Sequence, residues 1–341
     1  MILQMAGWKA NVPGAGASIS PLGNLVPSPR NLAAFMKRIL VTGASGLLGL
    51  NLCLKKHQNY TLIGVDRGKL RATPFELVRA DLTEPGAIPR LIESVQPDAI
   101  IHTAANAILD ACEADPQNAY LINAQIPAEI AAACEKHSLQ LLHISTDAVF
   151  DGTKDGIYSE DDLPNPLGIY AKSKLAGENN VLAVYPAAIV ARVVFFGWSL
   201  SGTRSLSEFF FNKLSRNEPC NGFTDVIFCP LFVGDLAETL FLMLEKNLGG
   251  LYHATGAEAL SKYDFGRRIA LQFGFDPDLV IPRLVEDSGL KTSRSHNLSL
   301  SNHRLSTDLG QEIPGVSTGI QHFHAQALEG YPQKMRSYQQ G

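Results

Sequence analysis

From Arg38 onward, short β-branched runs alternate with longer stretches whose apolar positions recur at helical spacing. A parallel strand pair needs a long crossover, which a helix usually supplies, so this alternation predicts a parallel sheet wrapped by helices. Strands are predicted at 38–42, 60–65, 76–80, 98–102, 139–145 and 187–193, and helices at 46–57, 84–96, 115–137 and 166–184. The runs Ala99-Ile100-Ile101 and Leu141-Leu142-His143-Ile144 are apolar at nearly every position, as strands covered on both faces require. The predicted fold class is α/β, a doubly wound parallel sheet.

Beyond Gly197 the pattern changes. Turn-rich segments separate helices predicted at 205–217, 233–246 and 261–273, and strand-like pieces such as Leu251-Tyr252-His253 are short. This suggests a nucleotide-binding domain over 36–196, a smaller, interdependent C-terminal substrate lobe over 197–330, and a polar, frayed tail over 331–341. Residues 1–35 are rich in Gly, Pro, Ser and Asn, lack the basic start and apolar core of a signal peptide, and precede Met36-Lys37-Arg38 at the first convincing strand. They are expected to be a disordered extension or an over-assigned start.

Composition removes several classes of function. A net charge of −4 supplies no basic field for nucleic acid, and the most hydrophobic stretch, 187–198, is short and interrupted by Arg192, so no membrane span is expected. Cys53, Cys112, Cys134, Cys220 and Cys229 lack any Cys-x-x-Cys spacing. That fits buried thiols in a reducing cytoplasm better than a zinc site or a disulfide framework. His102, His143, His253, His322 and His324 form no ligand set, the last two reading as tail residues, and no catalytic metal is expected.

Candidate chemistry begins where Ile39-Leu40-Val41 runs into Thr42-Gly43-Ala44-Ser45-Gly46-Leu47-Leu48-Gly49. Gly43 suits a tight turn, Gly46 lets backbone approach a pyrophosphate, and Gly49 allows close packing of helix on strand. The amides at the start of the helix, from Ser45 through Leu48, would face the anion. Strand, glycine turn and helix in this order predict a dinucleotide cofactor on a Rossmann-type domain. Asp66 ends the next strand, about twenty residues on, where an acid bonds ribose hydroxyls and favours NAD. Arg67, Lys69 and Arg71 follow at once and suit a 2′-phosphate, so NAD(H) and NADP(H) both stay open.

The strand at 141–144 leads into Ser145-Thr146-Asp147, and the helix after the next loop carries Tyr170-Ala171-Lys172-Ser173-Lys174. A Tyr and a Lys four apart share one helical face. The ammonium is expected to pull the phenol down from its free pKa of about 10. Tyr170 would then exchange a proton with a carbonyl or alcohol oxygen while the cofactor moves a hydride, with Thr146 holding that oxygen.

Together with Ala80-Asp81-Leu82, His102-Thr103-Ala104-Ala105, Asn123 and Val149-Phe150-Asp151-Gly152, these segments resemble the extended short-chain dehydrogenases/reductases. Among these, the chain is most similar to the dTDP-4-dehydrorhamnose reductase-like, sugar-nucleotide-binding family, with motifs in that family's order from Arg38 to Gly310. The resemblance implies Thr146, Tyr170 and Lys174 as the catalytic group. It places Asp81 and Leu82 at adenine, Thr103, Ala104 and Ala105 behind the cofactor, and Asn123 beside a proton-relay water. It further implies reduction of a 4-keto group on a nucleotide-activated deoxysugar; a cytoplasmic location is expected from the scattered cysteines, and a homodimer is compatible with the sequence. Residues 106–108, with Asn106 foremost, Asp147, Trp198 and 223–225 are candidates to line the sugar.

Two departures put the sugar's identity in question: the segment 192–197 is one residue shorter than its rhamnose-pathway counterpart, and Ala148 stands where an aromatic residue is common. Ala148 also occupies the place of the Glu that gives related 4,6-dehydratases a second acid–base group, which disfavours elimination. A 4-epimerase, which shares the Tyr and Lys, remains a rival. So does a redox-silent nucleotide-binding subunit such as the family's relative in methionine adenosyltransferase.

Overall fold

A computed structural model describes residues 36–288 and 295–339; the expectation for 1–35 lies outside the described residues. Seven parallel strands form the central sheet: β1 (Arg38–Thr42), β2 (Thr61–Asp66), β3 (Glu76–Arg79), β4 (Ala99–His102), β5 (Gln140–Thr146), β6 (Ile189–Val193) and β7 (Gly250–His253). Their order is β7-β6-β5-β4-β1-β2-β3, a Rossmann-type arrangement. The six strands predicted from pattern lie within two residues of these positions. The sheet is apolar on both faces because both are covered. Ile39, Val41, Ala99 and Ile101 point into one core, and Leu40 and Ile100 into the other.

The first core is shared with α1 (Leu47–Lys56), and the second with α2 (Ala87–Val95), α3 (Ile126–His137) and α4 (Ile169–Val184). The predicted helix at 115–137 is broken. Pro116–Tyr120 is followed by a π-helical turn over Leu121–Gln125 before α3 begins. Pro127 has no N–H to give to the carbonyl of Asn123, four residues back, and its ring would crowd it, so the helix widens there. Gly177 on α4 accommodates that displaced carbonyl, which a Cβ at this position would strike.

The later half supplies α5 (Leu206–Leu214), α6 (Val233–Glu245), α7 (Lys262–Phe273), α8 (His303–Leu309), α9 (Val316–Leu328) and α10 (Tyr331–Ser337). Two features differ from expectation. Leu251-Tyr252-His253, read with the second half, is the edge of the main sheet, with Gly250 opposite Ile189 and His253 opposite Arg192. Pairing between segments so far apart leaves no mark on the local pattern. The segment 331–339 is not frayed either: Met335 is fully buried and Tyr338 nearly so, both in the core that holds α1. Among the described residues, no helix is long and apolar enough to cross a membrane.

Candidate active site

Successive strands are added to one side of β1 up to β3 and to the other side from β4 onward, and this switch between β1 and β4 opens a crevice at the carboxyl ends of these parallel strands. A cleft of about 730 Å³ lies there. Gly43 has φ +71° and faces the loop after β4 so closely that a Cβ would sit 2.7 Å from the Ala104 nitrogen. The Thr103 hydroxyl fixes the two loops by donating to the Thr42 carbonyl at 2.7 Å. The Gly46 N–H donates to the Gly43 carbonyl at 2.8 Å, and Gly46 caps α1, whose first amides have no intrahelical partner. Gly43, Ser45, Gly46 and Leu47 line the cleft. The Leu48 side chain is buried in the core, and Gly49 lets α1 rest on the Gly43 carbonyl. An anion seated here meets backbone donors with no Cβ in the way, which suits a pyrophosphate.

At the far end of the cleft, one carboxylate oxygen of Asp66 accepts from the backbone N–H groups of Gly68, Lys69 and Leu70. Burial raises the pKa of this acid, but the Ser45 hydroxyl and the three amides outweigh it and hold the group below the ordinary carboxylate range. Asp66 is thus heavily engaged in shaping its own loop. Arg67 reaches Asp81 at 3.7 Å, and Asp81 also accepts from the backbone and hydroxyl of Thr83. Arg67, Asp81, Leu82, Thr103, Ala104 and Ala105 all line this cleft. So do Lys69 and Arg79, which keeps cations beside the Asp66 loop.

A second, largely apolar pocket of about 290 Å³ opens at the end of β5, where Tyr170, Asp147 and Ala148 meet Phe195, Val226 and Phe228. Burial pushes the Tyr170 phenol up to about 12; a hydrogen bond with Thr146 works against this and the charge of Asp147 adds to it. The expected lowering by Lys174 is therefore corrected: desolvation dominates, and the phenol stays protonated at neutral pH. The Thr146 hydroxyl lies 3.1 Å from an Asp147 carboxylate oxygen and accepts from the Ala148 N–H. Burial pushes Asp147 up to about 6, opposed by Thr146 and by the charge of Lys262.

Lys174 is buried and donates to the Ile144 carbonyl at 2.6 Å. Burial lowers its ammonium to about 8, against the opposing pull of Glu178. Its amine also lies 3.5 Å from His143 Nε2. His143 stacks on His102 across β4 and β5, and Thr42 Oγ1 lies 2.7 Å from His102 Nδ1. Burial holds both imidazoles well below their usual range, so this file of side chains beneath the cleft is neutral until it reaches Lys174. Alongside, Glu178 takes the Ser145 hydroxyl and pairs with Arg192 at 2.8 Å, both members almost fully buried.

The remaining candidates separate. Asn123 lies off the cleft, where its side chain exchanges two hydrogen bonds with the backbone of Asn106 and donates to Ser173, so it pins the loop after β4 to α4. Trp198 lines neither of these two pockets: it is buried, stacks on Phe323 at 4.0 Å and donates to the Phe323 carbonyl. Asp225 is engaged by the Val285 N–H. His322 pairs with Asp235 and His324 packs on Phe273, so both belong to α9 packing and not to a tail. Lys262, Arg204 and Gln339 line the two pockets and escaped sequence reading, since each comes from a segment remote from the motifs. Among the described residues, no group of His, Cys, Asp or Glu is arranged to hold a metal ion.

Comparison with known proteins gives a family match over residues 36–328, to the RmlD substrate binding domain. The chain is 30% identical over 284 residues to the probable low-salt glycan biosynthesis reductase Agl14 of Haloferax volcanii, covering 82% of this chain and 95% of that protein. It is 33% identical over 280 residues to methionine adenosyltransferase 2 subunit beta of Danio rerio, covering 79% and 84%. The crystal structure of dTDP-4-dehydrorhamnose reductase from Bacillus anthracis in complex with NADP superposes with a TM-score of 0.77 at 25% identity, covering 85% of this chain and 99% of that one. Glycine turn, strand order and family match agree: the chain belongs to the RmlD substrate-binding-domain family, on the fold of the extended short-chain dehydrogenases/reductases.

Proposed function

We propose that this protein reduces the 4-keto group of a nucleotide-activated deoxysugar with NADH or NADPH. The observation that carries the reading is the hydrogen bond between Tyr170 and Thr146 at the carboxyl end of β5, with Lys174 anchored on the Ile144 carbonyl of the same strand, in the sheet whose β1 ends in an anion-cradling turn. The turn from Gly43 to Leu47 would hold the pyrophosphate. The Asp66 loop, Asp81 and Leu82 would hold the adenosine half, and Thr103 to Ala105 would back the cofactor. When bound, the dinucleotide supplies the hydride.

Tyr170, a protonated phenol whose pKa burial raises further, gives its proton to the carbonyl oxygen as the carbon gains the hydride, so ketone becomes alcohol. Thr146 holds that oxygen, and the Lys174 ammonium, anchored on the Ile144 carbonyl, would sit beside the bound ribose of the cofactor. Ala148 stands where a 4,6-dehydratase carries a Glu, so the acids of this pocket are Asp147 and Glu113, neither of them at the position that elimination uses. The apolar wall of Phe195, Val226 and Phe228 suits a deoxygenated sugar edge.

The likeness to the methionine adenosyltransferase subunit favours one rival, a nucleotide-binding subunit without redox turnover. A Tyr170→Phe variant separates the two. Reductase chemistry requires turnover of a nucleotide 4-ketosugar to fall by about 10²–10⁴-fold with dinucleotide affinity kept. Wild-type protein that binds dinucleotide yet oxidises neither NADH nor NADPH with any such sugar would favour the subunit reading.

A further inference from the structure

The family match ends at residue 328, yet α10 lies beyond it and is built into the fold. Met335 and Tyr338 are buried in the core. The Tyr331 hydroxyl donates to Asn51 on α1 at 3.0 Å, and the Asn51 amide donates onward to the Trp198 carbonyl at 2.8 Å. One asparagine thereby joins α10 to the segment that follows β6.

The same segment reaches both walls of the larger cleft. On one side, the Arg71 N–H donates to the Tyr338 carbonyl at 2.9 Å, and Leu70 and Gln339 form an antiparallel bridge. Leu70 in turn gives its N–H to Asp66, so the last residues brace the Asp66 loop. On the other side, Gly202 has φ +72° and lies under the Arg336 guanidinium, 3.3 Å from where a Cβ would be. Gln339 is exposed and lines the cleft together with Ser201 and Arg204. Its amide can both donate and accept, which matches ribose hydroxyls and phosphate oxygens.

We propose that residues 331–339 form the outer rim of the cofactor cleft: they position the Asp66 loop and present Gln339 to the adenosine half of the dinucleotide. This rests on the dinucleotide reading above. Binding and ordering are reciprocal, so the adenosine half should protect the rim from hydrogen exchange. In the full chain, the amides of Arg71 and Gln339 are expected to exchange more slowly with NADPH or ADP-ribose, but not with nicotinamide mononucleotide. Protection of α1's first turn without protection of the rim would overturn the proposal, whereas protection of neither would overturn the cofactor reading itself. Gln339→Ala is expected to weaken ADP-ribose binding about fivefold, the scale of one hydrogen bond, with an unchanged circular dichroism spectrum. Unchanged affinity in that variant would remove the Gln339 contact.

Discussion

Gly43→Ala probes the junction on which the cofactor cleft depends. At φ +71° an L-residue costs about 1–2 kcal/mol. The new Cβ would also stand 2.7 and 2.8 Å from the backbone of Ala104 and 2.9 Å from Thr103 Oγ1. Backbone cannot swing aside as a side-chain end can, so the turn must move away from the loop after β4, adding about 1–3 kcal/mol. The sum is about 2–5 kcal/mol, a large part of a typical domain's stability. Gly274 provides the control, since it has φ +72° and nothing within 4 Å of its Cβ position. Gly274→Ala should therefore cost only the backbone share, about 1–2 kcal/mol. Urea unfolding without ligand, paired with dinucleotide titration, reads both effects. Gly43→Ala should unfold earlier than Gly274→Ala and lose most dinucleotide affinity, while Gly274→Ala binds as wild type. Equal stability of the two variants, or wild-type binding by Gly43→Ala, would refute the close-approach argument.

Three further outcomes follow from the buried groups. The Lys174 pKa is lowered from 10.5 to about 8 in the folded protein, so the native state sheds this proton first. The penalty on the buried ammonium is full below pH 8 and is relieved between about 8 and 10.5, so wild type should gain stability over Lys174→Met across that window; a constant difference in urea midpoint would contradict this. Glu178→Ala strands Arg192, which is 3% exposed, and should cost about 3–5 kcal/mol, most of it recovered in a Glu178→Leu, Arg192→Met double variant. If the double variant is no more stable than the single one, the stranded charge is not the cause. Trp198→Ala should cost about 3–5 kcal/mol through the cavity left against Phe323 and leave the substrate KM unchanged in surviving protein. A raised KM at preserved stability would return Trp198 to the sugar pocket.

What could be read from the chain divides along the range of the interactions involved. β1 through β6 and most helices follow from local apolar period and turn residues, and the glycine turn declares itself through three glycines between a strand and a helix. β7 was legible as a short strand but not as the edge of the main sheet, because its partner β6 is far away in sequence. The π turn at Asn123 was latent in Pro127 but needed the i−4 carbonyl to be traced. The rim segment was hidden by its polar composition, although Tyr331, Met335 and Tyr338 recur at helical spacing and hold its buried face. The direction of the Tyr170 shift was missed for a different reason. Sequence shows which charges are near, whereas desolvation depends on what covers the phenol.

The most direct test of the reductase reading uses NADH and NADPH deuterated at the transferable position, incubated with nucleotide 4-ketosugars and the purified full chain. Deuterium should appear at C4 of an alcohol product, with almost none in the Tyr170→Phe variant. Recovery of unlabelled or merely epimerised sugar, from protein that demonstrably binds the dinucleotide, would contradict it.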